Sequence, residues 1–297
     1  MSMGPNSENL VLLSAVIPIA GFPNGLEQIK KWTTETNLKN LEIILVLDSE
    51  SISVIDEVNS IATSLLNKTS VTLLNSSARN PGGTRNMGLS QAKGRWITFW
   101  DCDDIPNPEK FLEMVYQAQG KDADVALGAF SVRAGSNLRV YQNKFGDRQE
   151  ILHSIAFNPG LWRFAFRTEL AKIAKFPELN MAEDQLYLAK VLQNSKKISI
   201  SSEIVYEYWI YPSGQLTKNR NALHTLSTAL IHFEKTYKEN KCRAILIVII
   251  RLTITSIVYN NWTVKARSLV RLIKILASDV RVIPFAIRSA AFIWKSK

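Results

Sequence analysis

The chain contains the stretch Gly94-Arg95-Trp96-Ile97-Thr98-Phe99-Trp100-Asp101-Cys102-Asp103-Asp104. Its apolar run is bounded by a glycine and then by acids and Pro106, which predicts a buried strand. Ligands of open α/β sheets bind beyond the carboxyl ends of strands, and Mg²⁺ and Mn²⁺ prefer oxygen ligands. The three carboxylates therefore predict a metal held for a phosphorylated substrate. The alternative is that they cap the next helix, with Asp104 as N-cap before Pro108.

Length and composition describe a protein with a sizeable core. The 297 residues are 46% apolar, which is enough for one large core or for one core with a smaller appendage. Cys102 and Cys242 are far apart and lack metal-ligand spacing, which fits a reducing cytoplasm. Residues 1–9 lack the basic leader of a signal peptide, and the apolar run at 10–20 is too short to span a bilayer. We expect this run to be the first strand.

The charge is concentrated in one part of the chain. The formal net charge is +10, and residues 241–297 contain eleven Lys and Arg against a single acid, Asp279. The whole excess of positive charge therefore lies in this segment, which is also apolar. A nucleic-acid-binding protein would more often interleave bases with aromatic residues near its central site. We expect a membrane surface as partner and no nucleic acid.

Apolar runs and helical spacings alternate along the chain. Strands are predicted at 10–18, 41–47, 71–74 and 96–100, and helices at 26–34, 52–66, 84–92 and 108–119. This βαβ alternation predicts an α/β fold with a mostly parallel sheet flanked by helices. Residues 125–132 and 138–142 predict a hairpin, so the second half changes character. Neither GxGxxG after the first strand nor GxxxxGK[ST] occurs.

A second pair of acids lies in Ala182-Glu183-Asp184, at the start of a predicted amphipathic helix. Acids are common in a first helical turn because the helix dipole favours them, so such a pair alone is often structural. Together with a separate metal-binding cluster, a carboxylate suited to act as general base is typical of a transferase active site.

In their order and spacing, these pieces resemble the family 2 glycosyltransferases of the GT-A fold. The pieces are the strand ending at Pro18, the strand ending at Asp48, the run Gly83-Thr84-Arg85-Asn86-Met87-Gly88, the acid cluster and Ala182-Glu183-Asp184. The resemblance covers residues 10–215. It implies inverting transfer of a sugar from a nucleotide-diphosphate sugar, most simply a UDP-sugar, to an acceptor hydroxyl in surface polysaccharide or glycolipid synthesis.

The resemblance also implies a role for each matching residue. It places Asp48 at the nucleotide base, Arg85 on the nucleotide, Asp101 on the ribose, Asp103 on Mn²⁺ or Mg²⁺, and Asp184 as catalytic base beside Glu183. It also makes Pro18 a further donor-binding residue. A metal ion at this site fits the chemistry of the transfer, because a divalent cation stabilises the charge that gathers on a diphosphate leaving group. A nucleotide leaving group needs no protonation, so one base is sufficient. A hydrolase would instead need an acid and a base flanking the bond.

The chain departs from the family pattern at several positions. Ala20-Gly21 replaces a usual Tyr-Asn, which leaves Phe22 as a candidate for base stacking. Trp209 stands where many relatives have Arg, so Lys218 or Arg220 is a candidate to reach the diphosphate. The processive signature Gln-x-x-Arg-Trp is missing, which favours addition of one residue at a time. Trp162 is either an acceptor-stacking residue or an ordinary core residue.

The expected domains are a catalytic domain at 1–240 and a helical tail at 241–297. Within the first, 10–120 binds the nucleotide sugar, and 121–220 holds the acceptor side and the base. In the tail, bases recur along a helical face that Pro284 kinks or divides, a pattern typical of a helix in the membrane interface. This segment would hold the enzyme peripherally on the inner face of the cell membrane, near a lipid-linked or saccharide acceptor. The alternative is a helical hairpin packed on the catalytic domain or at a homodimer contact.

Two other functions compete with a transferase. Asp101 after an apolar strand is also typical of the nucleophile of haloacid-dehalogenase-like phosphatases, although there the motif normally opens the fold. The departures from the family pattern also allow an inactive, membrane-associated protein that keeps the fold.

Overall fold

The computed structural model describes residues 11–20, 23–143, 150–151, 154, 159–179, 181–211, 226–260 and 262–295. The chain divides into two compact units. The first comprises residues 1–144, 161–175 and 194–211, and the second comprises residues 145–160, 176–193 and 212–297.

The first half of the first unit alternates strands and helices as predicted. The elements are β1 (Leu13–Ile19), α1 (Pro23–Glu35), β2 (Leu41–Leu47), α2 (Ile52–Leu65), β3 (Ser70–Asn75), α3 (Pro81–Gln91) and β4 (Trp96–Phe99). The four strands are parallel, in the order β3-β2-β1-β4. Every residue of β2 is buried, because a parallel strand is covered by helices on both faces.

The second half of this unit adds antiparallel pairings. Its elements are β5 (Ile105–Pro106), α4 (Pro108–Gly120), β6 (Val125–Ala134), β7 (Asn137–Tyr141), β8 (Phe164–Arg167), α5 (Thr168–Ala171) and β9 (Ile198–Trp209). The sheet continues from β4 as β8-β6-β9-β5, and β7 forms the predicted hairpin with β6. Of these neighbours only β6 and β9 are parallel. The predicted α/β class is confirmed, with a parallel first half and a mixed second half.

The second unit is helical in its described part. It contains α6 (Glu183–Asn194), α7 (Leu226–Asn240), α8 (Arg243–Tyr259), α9 (Trp262–Ser278), a 3₁₀ turn (Val280–Val282) and α10 (Ile283–Lys295). Helix α8 packs against α7, α9 and α10, and Ile245–Ile250 are buried. The tail divides before Pro284, as predicted, and Asp279 accepts a hydrogen bond from the backbone N–H of Arg281 there.

No helix in the described ranges combines the length and the apolar character needed to cross a bilayer. The compact units group residues 241–297 with α6, whereas the sequence separated them from a catalytic domain at 1–240. That functional division stays a prediction.

The packing of α3 on the sheet predicts a steric effect at Gly88. A Cβ atom there would lie 2.4 Å from Cγ1 of Val16 and 3.1 Å from Cγ2 of Val46. Because β-branched side chains have little rotamer freedom, we expect Gly88→Ala to lower the free energy of unfolding by about 1–3 kcal/mol in urea denaturation.

Gly120 is the matched control, since a Cβ atom at this last residue of α4 meets nothing within 4 Å. Gly120→Ala should leave the protein as stable or up to about 1 kcal/mol more stable. Equal effects of the two substitutions would contradict the proposed packing.

Candidate active site

Residues 101–104, termed the acid turn, come directly after β4. The N–H of Asp104 faces the carbonyl of Asp101 at 3.4 Å, closing a turn. Trp100 anchors the strand end through its N–H, which donates to the carbonyl of Val16 at 3.0 Å. The acid turn therefore lies at the carboxyl edge of the parallel strands, where the sequence predicted a site.

Arg85 is brought to the acid turn by helix α3. The N-terminus of this helix is capped by Asn80, whose side chain accepts a hydrogen bond from the N–H of Gly83. Arg85 is buried, and its Nη2 lies 2.8 Å from Oδ1 of Asp101. The predicted nucleotide residue and the predicted ribose residue thus form an ion pair, which holds one carboxylate of the turn in place.

Asp48 and Pro18 lie at the same edge of the sheet. Asp48 comes directly after β2, and its N–H donates to the carbonyl of Ile19 at the end of β1. Its Oδ2 accepts a hydrogen bond from Oγ1 of Thr84 at 3.0 Å. Pro18 is half-buried in β1, paired with Val46. The first unit therefore brings together the ends of β1, β2 and β4 with the start of α3.

Burial and a neighbouring carboxylate leave the charge of Asp103 poorly compensated. Burial and then the neighbouring Asp101 raise the pKa of the Asp103 carboxyl to about 6, partly offset by a backbone hydrogen bond and by Arg85. Two like charges this close disfavour ionisation of either one unless a cation is near. The Asp101 carboxylate is already paired with Arg85, which leaves Asp103 as the better available ligand.

The donor set of the acid turn fits a divalent cation shared with a diphosphate. The described residues contain no group of three or more side chains placed to hold a metal by themselves. Mg²⁺, however, is usually bound by one or two carboxylates together with substrate phosphates, and carboxylate oxygen suits Mn²⁺ as well. Asp103, with Asp101 beside it, supplies that donor set.

Asp104 is buried and does not cap the following helix. The N-cap of α4 is Asn107, whose side chain accepts a hydrogen bond from the N–H of Lys110. Oδ1 of Asp104 instead accepts a hydrogen bond from the N–H of Trp209 at 2.7 Å. Burial, together with the charges of Asp103 and Asp101, raises the pKa of the Asp104 carboxyl well above its usual range. The capping explanation of the acids is therefore wrong for Asp104.

Trp162 is covered by other aromatic rings. It is 9% exposed, stacks on Tyr206 at 4.5 Å and Tyr208 at 5.6 Å between ring centroids, and meets Phe130 edge-on. The acceptor-stacking role of Trp162 stays a prediction, since this arrangement also suits a core residue.

Glu183 and Asp184 begin helix α6 of the second unit. Ala182, directly before them, has φ of 66°, a left-handed conformation that is strained for alanine. Glu183 is buried, whereas Asp184 is half-buried and its Oδ1 accepts a hydrogen bond from the N–H of Gln185. The helix N-terminus favours the negative charge of the carboxylate.

Arg251 of α8 is the basic neighbour of Asp184 within the second unit. Burial lowers the pKa of the Arg251 guanidinium, and the charge of Asp184 works against that shift. An arginine inside an otherwise apolar helix thereby has an acidic neighbour. The hint of this electrostatic interaction in the sequence is that Arg251 interrupts the apolar run from 244 to 259.

Sequence reasoning also missed two tyrosines of the first unit. The hydroxyl of Tyr206 accepts a hydrogen bond from the N–H of Asp101 at 3.0 Å, and the hydroxyl of Tyr211 donates to the carbonyl of Asp103 at 2.7 Å. The predicted contacts of Phe22, Lys218 and Arg220 lie outside the described residues.

Comparison with known proteins gives the family. Residues 21–178, more than half of the chain, match the profile described as "Glycosyl transferase family 2". The chain belongs to glycosyl transferase family 2. The predicted family is thereby confirmed, and its acid turn, Arg85 and Asp48 lie inside the matched region.

Curated relatives of this family member are bacterial glycosyltransferases. It is 36% identical over 124 residues to "Glycosyltransferase GlyG" of Streptococcus pneumoniae, which covers 40% of the chain and 39% of the relative. It is 27% identical over 210 residues to the "Poly(ribitol-phosphate) beta-glucosyltransferase" of Bacillus spizizenii, which covers 68% of the chain and 33% of the relative. The matches thus span less than half the length of these relatives.

Solved structures show the same fold. The S. aureus TarS fragment 1–349 in complex with UDP-GlcNAc has a TM-score of 0.62 at 18% identity, covering 94% of this chain and 79% of that one. A mannosyltransferase from Pyrobaculum calidifontis, in complex with GDP-Man and Mn²⁺, has a TM-score of 0.59 at 14% identity, covering 98% of this chain and 87% of that one. At these identities the likeness shows the GT-A fold alone.

The raised pKa of Asp103 predicts a pH-dependent stability without metal. Below its unfolded pKa of 3.8 the carboxyl is protonated in both states, and above about 6 it is ionised in both. Between these values the folded state binds more protons, so stability falls as pH rises. Asp103→Asn removes this penalty and should raise the free energy of unfolding by up to about 3 kcal/mol at pH 8.

Urea denaturation with a metal chelator present measures this difference across pH. The difference in the free energy of unfolding should become small near pH 4 and vanish about one pH unit below the unfolded pKa of 3.8. A gain that is constant from pH 4 to pH 8 would show that burial and charge at Asp103 are not its cause.

Proposed function

We propose that the protein is an inverting, metal-assisted glycosyltransferase that moves a sugar from a nucleotide-diphosphate sugar to an acceptor hydroxyl. The observation that carries the proposal is the acid turn, where Asp103 and Asp101 lie beside a buried Arg85 at the carboxyl edge of the sheet. Family membership and neighbours crystallised with UDP-GlcNAc or GDP-Man support a nucleotide-sugar donor, with a UDP-sugar as first choice.

The residues of the first unit would bind and orient the donor. Asp48 would contact the nucleotide base, Asp101 the ribose and Asp103 the Mn²⁺ or Mg²⁺ on the diphosphate. When bound, the cation supplies charge stabilisation for the leaving diphosphate. Arg85 orients the Asp101 carboxylate and adds positive charge near the phosphates. A buried arginine gives this orientation without a change of charge across the working pH range.

Asp184 of the second unit would take the acceptor proton. The acceptor oxygen forms the new glycosidic bond to the anomeric carbon as the bond to the diphosphate oxygen breaks, which inverts the anomeric configuration. The helix N-terminus and Arg251 both favour the ionised carboxylate that a base requires. Glu183, which is buried beside it, is more suited to hold the start of α6.

The names of the relatives suggest the class of acceptor, which we state as a proposal. The names of the curated relatives include poly(ribitol-phosphate) glycosyltransferases and a succinoglycan biosynthesis protein. We infer a saccharide or lipid-linked acceptor in surface polysaccharide or glycolipid synthesis. The phosphatase alternative has no support from the family match, and one oxygen of the Asp101 carboxylate, its proposed nucleophile, is held by Arg85.

Two substitutions separate donor binding from transfer. The donor is first found by screening nucleotide sugars in thermal shift with Mn²⁺, because a bound ligand raises apparent stability. Asp103→Ala should then abolish metal-dependent nucleotide binding. Asp184→Asn should keep donor binding and lower nucleotide release by about 100-fold or more, since general-base catalysis contributes that much.

Asp56→Asn on the exposed face of α2 is the control and should change neither quantity. Near-normal turnover of Asp184→Asn would contradict its assignment as base. Donor binding by the unmodified protein without any nucleotide release would favour the inactive alternative.

We also infer that helix α9 lies on the inner surface of an anionic membrane. Its inner face packs into the core of the second unit through Leu272, Ile275 and Leu276. Its outer face is apolar as well, with exposed side chains at helical spacing: Trp262 at 83%, Leu269 at 50%, Val270 at 53% and Ile273 at 58%.

Basic side chains flank this outer face. Arg267 and Lys274 are exposed beside it, whereas two other basic residues of the tail form ion pairs, Arg271 with Glu234 and Arg281 with Asp279. An apolar stripe with flanking bases suits an anionic lipid surface, where each base contributes about 1 kcal/mol. The same reasoning supports a peripheral location on the cytoplasmic face of the membrane.

Point substitutions test this better than truncation, because residues 241–297 include the buried helix α8. In sedimentation with phosphatidylglycerol vesicles, the double variant Trp262→Ala/Ile273→Ser should bind at least about tenfold more weakly, because it removes two large apolar groups from the interface. Ile52→Ser is the control, since Ile52 is an isoleucine of the first unit that is at least as exposed as Ile273. Unchanged vesicle binding of the double variant would count against the membrane assignment. So would a dimer, seen in light scattering, that the wild type forms and the double variant does not.

A further inference from the structure

The end of strand β9 holds the acid turn from several sides. The N–H of Trp209 donates to the Asp104 carboxylate, and β5, which comes after the turn, pairs antiparallel with β9. The N–H of Asn107 also donates to the carbonyl of Val205 at 2.8 Å. These contacts fix the chain after the turn, and two further ones reach the carboxylate-bearing residues themselves.

Both of these further contacts use tyrosine hydroxyls on main-chain atoms. Tyr206, which is fully buried, accepts a hydrogen bond from the N–H of Asp101 at 3.0 Å. Tyr211 donates to the carbonyl of Asp103 at 2.7 Å, and the side chain of Gln28 donates to the same hydroxyl at 3.2 Å. The backbone of both ligand residues is thus tied to β9, and through Gln28 to helix α1.

We propose that Tyr206 and Tyr211 are positioning residues, whose hydroxyl groups hold the backbone of the acid turn in the geometry that the diphosphate-bound cation needs. A carboxylate is aimed by its own backbone, and binding groups act best when neighbouring contacts already lock them. Repulsion among the three carboxylates would otherwise spread the turn. Towards Asp101 and Asp103 the two hydroxyls bond main-chain atoms and not the carboxylate oxygens, while the hydroxyl of Tyr206 also bonds the side chain of Asp104.

This inference rests on the proposed function, because the two tyrosines would position the residues that bind the cation of the nucleotide-sugar donor. Tyr211 is the better test, since it lies after β9 and is less buried than Tyr206. Its hydroxyl is removed by Tyr211→Phe with the ring kept. A hydrogen bond of ordinary strength corresponds to roughly a three- to tenfold change in an equilibrium constant.

The experiment measures the Mn²⁺ concentration at which fixed UDP, or GDP if UDP fails, gives half of its maximal thermal stabilisation of the full chain. Tyr211→Phe should raise this concentration about three- to tenfold, and excess Mn²⁺ should restore the full stabilisation. A merely structural role would lower the unfolding temperature without moving the Mn²⁺ midpoint.

Tyr116→Phe is the matched control. The hydroxyl of Tyr116 also accepts a side-chain hydrogen bond, from Asn40, but it lies on the exposed face of α4. This variant should keep the wild-type midpoint. Gln28→Ala, which removes the donor to Tyr211, should shift the midpoint in the same direction by a smaller factor and provides the measurement if Tyr211→Phe does not fold.

The outcomes distinguish the two proposals. If neither UDP nor GDP stabilises the wild-type protein with Mn²⁺, the proposed donor chemistry fails. If the wild type responds and both Tyr211→Phe and Gln28→Ala keep its midpoint within roughly twofold, which is below the loss of an ordinary hydrogen bond, the positioning role is overturned. A shift of equal size in Tyr116→Phe would overturn it as well.

Discussion

Three carboxylates within four residues, at the end of a buried strand, are the constraint on which the first unit depends. Burial and mutual repulsion raise the pKa of Asp103 and Asp104, so the folded protein keeps these groups at a cost. Arg85 offsets the charge of Asp101, and the N–H of Trp209 binds Asp104. Asp103 has no such partner among the contacts described here, and we propose that a cation and a diphosphate share its charge.

The mixed parallel and antiparallel half of the sheet supports the acid turn. A parallel sheet alone delivers strand ends to one edge, but it does not hold the loops that leave those ends. Here β8 reverses direction between β4 and β6, and β9 then runs parallel to β6, so that its last residues meet the acid turn. The antiparallel pairings are therefore part of the site and not only an extension of the core.

The second unit joins two features that the sequence treated as separate. Helix α6 carries Asp184, and helix α8 of the basic, apolar segment carries Arg251, which is electrostatically coupled to it. Helix α9 covers α8 with one apolar face and exposes another. A substitution in residues 241–297 can therefore change the environment of Asp184 without touching a substrate. The segment also presents the surface that we assign to the membrane.

The sequence alone determined the α/β alternation of the first half, the strand at 41–47, the helical tail with its break before Pro284, and the family. Apolar periodicity and turn residues act over a few neighbours, so they are readable without a structure. The identities of Asp48, Arg85, Asp101 and Asp103 as site candidates also came from local motifs, and the first unit does gather them at one edge. Only the tertiary structure decided that Asn107 rather than Asp104 caps α4, that other rings cover Trp162, and that Tyr206 and Tyr211 hold the acid turn. The reason is physical: the two tyrosine contacts join residues 105 and 108 positions apart, and a contact at such separation depends on strand order and on the path of the whole chain.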